Sequence, residues 1–249
     1  MPGGPAPVDW QGAALDCAAC SFRDRLAPGQ CSPGWACAQD RYSPRIERFF
    51  VLNPDLADAC LTLPYFETRA RAAKYATLFR LPRLLSDPDP AVRAMAVLRL
   101  PAVQAMTCRH DPDRAVRIAV AHRLPAPDLA PLCDDADPAV RAVVARRAEA
   151  GLLPLLLSDP DPEVRALVAA RIGEPWLDRF VLDADPLVRR AAARRRPGPF
   201  AADRDFRVRH AVAETAGPDI LRRLLGDAED IIRETAAARL AEEESTDAG

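Results

Sequence analysis

The chain is poor in the features that mark most enzymes and membrane proteins. Its 249 residues include a single lysine, Lys74, three histidines and only 6% aromatic residues. No apolar run reaches the roughly 18 residues of a membrane-spanning helix, so no membrane span is expected. Met1 to Asp16 hold no basic stretch followed by an apolar core, so no secretory signal is expected and the protein reads as cytoplasmic. There is no Gly-rich phosphate loop and no Ser or Cys nucleophile with a matched His. Nor are there paired carboxylates outside a repeating frame, so the chain does not read as an enzyme. His110, His122 and His210 fall at non-equivalent positions in that frame and read as surface residues. A basic excess is missing too: 36 acidic residues face 34 basic ones, for a formal charge of -2. A phosphate-binding surface needs a net basic face or stripe, which argues against nucleic acid.

What is present is a repeat. Val92-Arg93, Val116-Arg117, Val140-Arg141, Val164-Arg165 and Val188-Arg189 recur every 24 residues. Val208-Arg209 follows after 20 and Ile232-Arg233 after a further 24, while Thr68-Arg69 and, weakly, Pro44-Arg45 extend the frame backward. Five residues before each Val or Ile stands an Asp: Asp87, Asp111, Asp135, Asp159, Asp183, Asp203 and Asp227. A fixed period in this range specifies a solenoid.

One unit can be read physically. Asp89 suits an N-cap, Pro90 the first helical position, and Pro101 stops a helix ending near Leu100. Val92, Ala96 and Leu100 share one face of that helix. The fifth position after each Val is small, from Ala73, Val97 and Ala121 through Ala145, Ala169, Ala193, Ala213 and Ala237, which permits close helix approach. The remaining segments, such as Leu81 to Ser86 and Leu153 to Ser158, are short and broken by Pro, so a 3₁₀ turn is expected. The shortened interval near Arg196 to Phe200 predicts an irregular connection with a possible bend. The repeated Arg is expected to pair with the repeated Asp of its own or a neighbouring unit. The competing reading is a phosphate ladder, which the 29 acidic and 29 basic residues of positions 60 to 249 disfavour.

Before the repeats, in a stretch rich in Gly and Pro, lie Cys17, Cys20, Cys31 and Cys37, spaced C-x2-C-x10-C-x5-C. A cytoplasmic chain gathers thiols this closely for a metal more often than for disulfides. Zinc takes four cysteines, and so does a [4Fe–4S] cluster with one on each iron; spacing alone leaves both open. Phe22, Trp35 and Trp10 are candidates to shield such a centre. Cys60, Cys108 and Cys133 fall at core Leu positions and read as small buried hydrophobes.

The four cysteines together with the Asp-x-Asp-Pro-x-Val-Arg repeat resemble the leucine-rich repeat variant family, the iron–sulfur LRV proteins of nitrogen-fixing bacteria. The resemblance covers almost the whole chain. It implies an all-α, right-handed solenoid of alternating α- and 3₁₀-helices. It also implies a [4Fe–4S] cluster held by Cys17, Cys20, Cys31 and Cys37, with zinc as the alternative, and a link to nitrogen fixation. The expected organisation is a cysteine-rich cluster domain over 1–59 and a solenoid over 60–241, with the Ile231 to Leu240 helix as terminal cap. A frayed acidic tail is expected over 242–249. The cluster domain is expected to cap the stack near Phe49, Phe50 and Leu52. The expected role is a non-catalytic scaffold with electron-transfer or redox-sensing capacity. Its expected partner is an unidentified protein on the solenoid surface, with no membrane or small-molecule substrate.

Overall fold

A computed structural model describes the backbone of residues 4–247, with side chains through Glu243. Helices dominate, and among the described residues the only β pairing is two isolated bridges, Val8 with Ala14 and Ser32 with Ala36. The chain forms two compact units, Met1–Pro125 and Ala126–Gly249. The first holds the cysteine-rich segment and the helices Ser43–Leu52, Phe66–Tyr75, Pro90–Arg99 and Arg114–Arg123. The second holds Pro138–Arg147, Pro162–Ala169, Pro186–Ala193, Phe206–Thr215 and Asp230–Asp247.

The repeat frame explains where each helix starts. Asp89, Asp113, Asp137, Asp161, Asp185 and Asp205 are N-caps whose carboxylates accept a backbone N–H from the first turn. The frame Val and the small residue five positions on lie in the core, from Val92 and Val97 to Val208 and Ala213. Ala237, at the same position in the last helix, is exposed.

The connecting segments are 3₁₀ at Leu78–Ser86, Ala126–Leu132, Leu153–Leu156, Glu174–Phe180 and Gly198–Phe200. Two others, Ala102–Ala105 and Pro218–Leu224, depart from the expected 3₁₀ form and are α-helical. Leu78–Ser86 and Ala126–Leu132 carry an internal proline, Pro82 or Pro131, which cannot donate an i→i−4 bond. Glu174–Phe180 is 3₁₀ without one, and Met106–Cys108, directly after Ala102–Ala105, is 3₁₀ as well. The last helix is described to Asp247, within the expected tail. Ala248 and Gly249, the end of the expected tail, lie outside the described residues.

Arg69, Arg93, Arg141, Arg165, Arg189 and Arg209 each reach forward to the Asp of the next repeat. Arg69 clasps Asp87 through Nε and Nη2, both at 2.8 Å, while its Nη1 donates to the carbonyls of Leu63 and Pro64. Arg93–Asp111, Arg141–Asp159, Arg165–Asp183 and Arg209–Asp227 repeat the two-pronged geometry. At the shortened interval Arg189 finds Asp203 at 2.8 Å, so the four lost residues leave the ladder in register. Such paired forks suit Arg and not Lys.

A second set of arginines, six positions after the first, went unread in the sequence. Arg99 donates to the carbonyls of Ala73 and Ala76, Arg123 to Leu100, Arg171 to Ala145 and Ala148, Arg195 to Ala169 and Ile172, and Arg239 to Ala213. Each places a cation at the C-terminal end of the preceding helix, where unpaired carbonyls and the helix dipole favour it.

The ladder makes the fold acid-sensitive. Burial alone would raise the pKa of Asp87, Asp111 and Asp183, yet the facing guanidinium holds each below the usual 3.8. At Asp227 the Arg209 hydrogen bonds are the main cause of the same lowering. A carboxylate depressed on folding contributes stability above its unfolded pKa and loses it as pH falls through the folded value. The melting temperature is expected to hold down to about pH 4 and to drop steeply below it. A flat profile from pH 5 to about pH 2.5 in thermal melts would show that the ladder adds nothing.

Candidate metal centre

Local turns bring the four cysteines together. Asp16 accepts the N–H groups of Ala18 and Ala19 at 2.9 and 3.1 Å, which curls the two-residue loop between Cys17 and Cys20. The Phe22 N–H lies 3.5 Å from Cys20 Sγ. A 3₁₀ turn follows at Arg23–Arg25, and the Arg25 carbonyl accepts the N–H groups of Gln30 and Cys31 at 3.0 Å, which returns the chain. Cys31 and Cys37 flank a tight turn closed by the Ser32–Ala36 bridge, at 2.8 and 3.0 Å. Gly34 sits in that turn at φ 78°, a conformation that L side chains resist. The five-residue spacing thus becomes a hairpin with a thiol at each foot.

The segment is anchored on the first repeats. Phe22 and Cys31 share a core with Phe49, Phe50 and Cys60. Phe22 packs on Phe49 at 5.4 Å between ring centroids. Asn53 is buried and donates to the carbonyls of Gln30 and Phe49 at 2.9 and 2.8 Å.

Cys17, Cys20, Cys31 and Cys37 all line one open cavity of about 360 Å³, together with Phe22, Leu26 and Gln39. Phe22 therefore shields the cavity as the sequence suggests. Trp10 and Trp35 do not line it: each is 43% exposed, Trp10 stacked on Tyr65 and Trp35 beneath the Arg48 guanidinium. Among the described residues, no three Cys, His, Asp or Glu side chains converge at single-ion distances.

The thiols feel one another. Burial first, then Cys37 and Cys20, pushes the Cys17 thiol above its ordinary value. Cys31 and Cys37 share a hydrogen bond that raises Cys31 and is the main cause of lowering Cys37 to about 7. Burial opposes the Cys37 shift, and the backbone N–H groups of Gln39 and Asp40 add to it. Outside this group, Cys60 is buried and pushed up to about 12 by desolvation, with Cys20 next to it. Cys108 is buried and Cys133 half-buried in the repeats, and neither lines the cavity.

Stacked α- and 3₁₀-helices behind a cysteine-lined cavity define a helical repeat protein with a thiol-rich end segment. Residues 7–59 match the family described as LRV protein FeS4 cluster. A solved structure described as a leucine-rich repeat variant with a novel repetitive structural motif aligns with TM-score 0.79 and 39% identity. That alignment covers 90% of this chain and 98% of that one. A Rhodobacter capsulatus protein, described as an uncharacterized 27.7 kDa protein in the nifB 3′ region, is 65% identical over 105 residues. That match spans 42% of this chain and 43% of the relative, less than half the length of either. The chain belongs to the leucine-rich repeat variant family.

Proposed function

We propose that this chain is a non-catalytic iron–sulfur protein in which Cys17, Cys20, Cys31 and Cys37 hold a [4Fe–4S] cluster and the repeats offer a surface to a protein partner. The observation that carries the reading is that the four thiols line one cavity, in the segment that matches the FeS4 cluster family. Zinc also takes four thiolates around one centre, whereas a [4Fe–4S] cluster takes one on each iron. The donor set fits as well: the soft ligands lining the cavity are the four cysteines, beside the carboxylates of Asp9 and Asp16 and with no His. When bound, the cluster would supply one-electron chemistry. The protein's own residues would supply the thiolates, the N–H groups facing them and the apolar wall of Phe22 and Leu26.

The frame arginines support a protein partner over nucleic acid, since Arg69, Arg93, Arg141, Arg165, Arg189 and Arg209 direct their forks at carboxylates. Salt-sensitive retention on DNA by the intact chain would count against this. A link to nitrogen fixation is supported by the genomic setting of the Rhodobacter relative.

Redox titration of anaerobically purified protein, followed by far-UV circular dichroism in both states, tests the role. A reversible one-electron wave with unchanged helix content is expected of an electron carrier or sensor. Absence of any reversible wave, with loss of structure on iron removal, would leave the centre a structural clasp.

A further inference from the structure

Two frame positions nearest the cysteines depart from the duty their counterparts perform. Arg45 stands one period before Arg69, but the residue 18 positions on is Leu63, which offers no carboxylate. Arg45 turns back instead, donating from Nη1 to Asp40 Oδ2 at 3.0 Å and from Nη2 to the Pro5 carbonyl at 2.7 Å. Asp40 is fully buried, Arg45 is 5% exposed, and the second Asp40 oxygen accepts the Tyr42 N–H at 2.8 Å. Thr68 occupies the position of Val92. It is buried, and its hydroxyl donates to the Ala38 carbonyl at 2.8 Å. An apolar Val would fill that site without a hydroxyl to satisfy, so the Thr is explained by the bond it makes.

Both departures act on the same four residues, 37–40. Cys37 N–H donates to the Arg45 carbonyl at 3.2 Å, Thr68 grips Ala38, and Arg45 grips Asp40. The turn directly follows Cys37, so these bonds fix the backbone that carries its sulfur, and the Asp40 carboxylate is matched by the Arg45 guanidinium. Removing one partner would leave the other buried and unpaired, which keeps the pair fixed.

We propose that Thr68 and the Asp40–Arg45 pair are positioning residues that hold the Cys37–Asp40 turn, and with it the Cys37 sulfur, and so set the reduction potential of the cluster bound there. This rests on the cluster reading above. Residues that orient a ligand from behind are among the levers that set a centre's affinity and potential.

Thr68→Val tests it with little risk to the fold, since it installs the residue of the later repeats. The full chain, purified anaerobically, is titrated against redox mediators beside Thr68→Ser, with iron content and far-UV circular dichroism measured on each. The expected result is a shifted midpoint for Thr68→Val at unchanged helix content, and a parental midpoint for Thr68→Ser. Loss of iron from Thr68→Val with retention in Thr68→Ser would support the same positioning role. A parent with full iron and a Thr68→Val midpoint equal to it would overturn the positioning role alone. A parent without iron–sulfur would overturn the cluster reading and this inference with it.

Discussion

Anaerobically purified Cys37→Ser is expected to hold at least about tenfold less iron than the parent chain, while Cys108→Ala holds the full amount. Both cysteines are buried, so burial does not separate them. Location does: Cys37 lines the cavity with three other thiols, whereas Cys108 lies in the connection after Ala102–Ala105. Cys37 also shares its hydrogen bond with Cys31, so its loss leaves one foot of the Gly34 hairpin without a sulfur. Serine preserves size and closely preserves shape, so the fold should survive and the loss of iron can be assigned to the ligand. The check is iron per chain alongside far-UV circular dichroism. Equal iron in Cys37→Ser and the parent would remove Cys37 from the site.

The second large effect concerns the ladder. Asp159→Ala is expected to destabilise the second unit by about 3 to 5 kcal/mol, because it strands a buried guanidinium. Arg141 is 7% exposed and Asp159 6%, and the two are joined at 2.7 and 2.8 Å. Asp159 also accepts the Asp161 N–H at 2.9 Å, so its loss loosens the following helix start. Removing both charges, as Arg141→Met with Asp159→Leu, should recover a large part of the loss, since much of the cost is the unpaired charge. Asp219→Ala, at an exposed Arg222 pair, should change stability little. Urea unfolding of the four proteins decides the matter. An Asp159→Ala midpoint no lower than that of Asp219→Ala would contradict a structural ladder.

Much of this architecture is legible in residue spacing because it rests on local rules. Asp before Pro marks a helix start by itself, and Val, Ala and Leu at helical spacing mark the buried face. The direction of the Arg–Asp pairing was not legible. Arg93 lies as plausibly near Asp89 of its own repeat as near Asp111 of the next, and only the stacking of one repeat on another selects Asp111. The second arginine set was visible as a recurrence at Arg99, Arg123, Arg171, Arg195 and Arg239, but it pairs with backbone carbonyls, which leave no trace in sequence. Pro82 interrupts Leu78–Ser86 and no proline interrupts Ala102–Ala105, yet Glu174–Phe180 is 3₁₀ without an internal one, so proline alone does not make the helix type of a connection legible.

At the cysteine segment, the gathering of thiols was legible and the shielding was only partly so. Phe22 reaches the core because the Arg23–Arg25 turn folds it inward onto Phe49. Trp10 and Trp35 find aromatic or cationic partners on the surface instead. Thr68 carried a signal that frame comparison can detect: a polar residue where the later repeats place Val or Ile.

The most direct measurement is iron, sulfide and zinc per chain in anaerobically purified protein, with its visible spectrum. The cluster reading predicts about four iron and four sulfide per chain, with broad brown absorption. About one zinc per chain, without iron, sulfide or colour, would contradict it and make the cysteine segment a structural clasp on a pure scaffold.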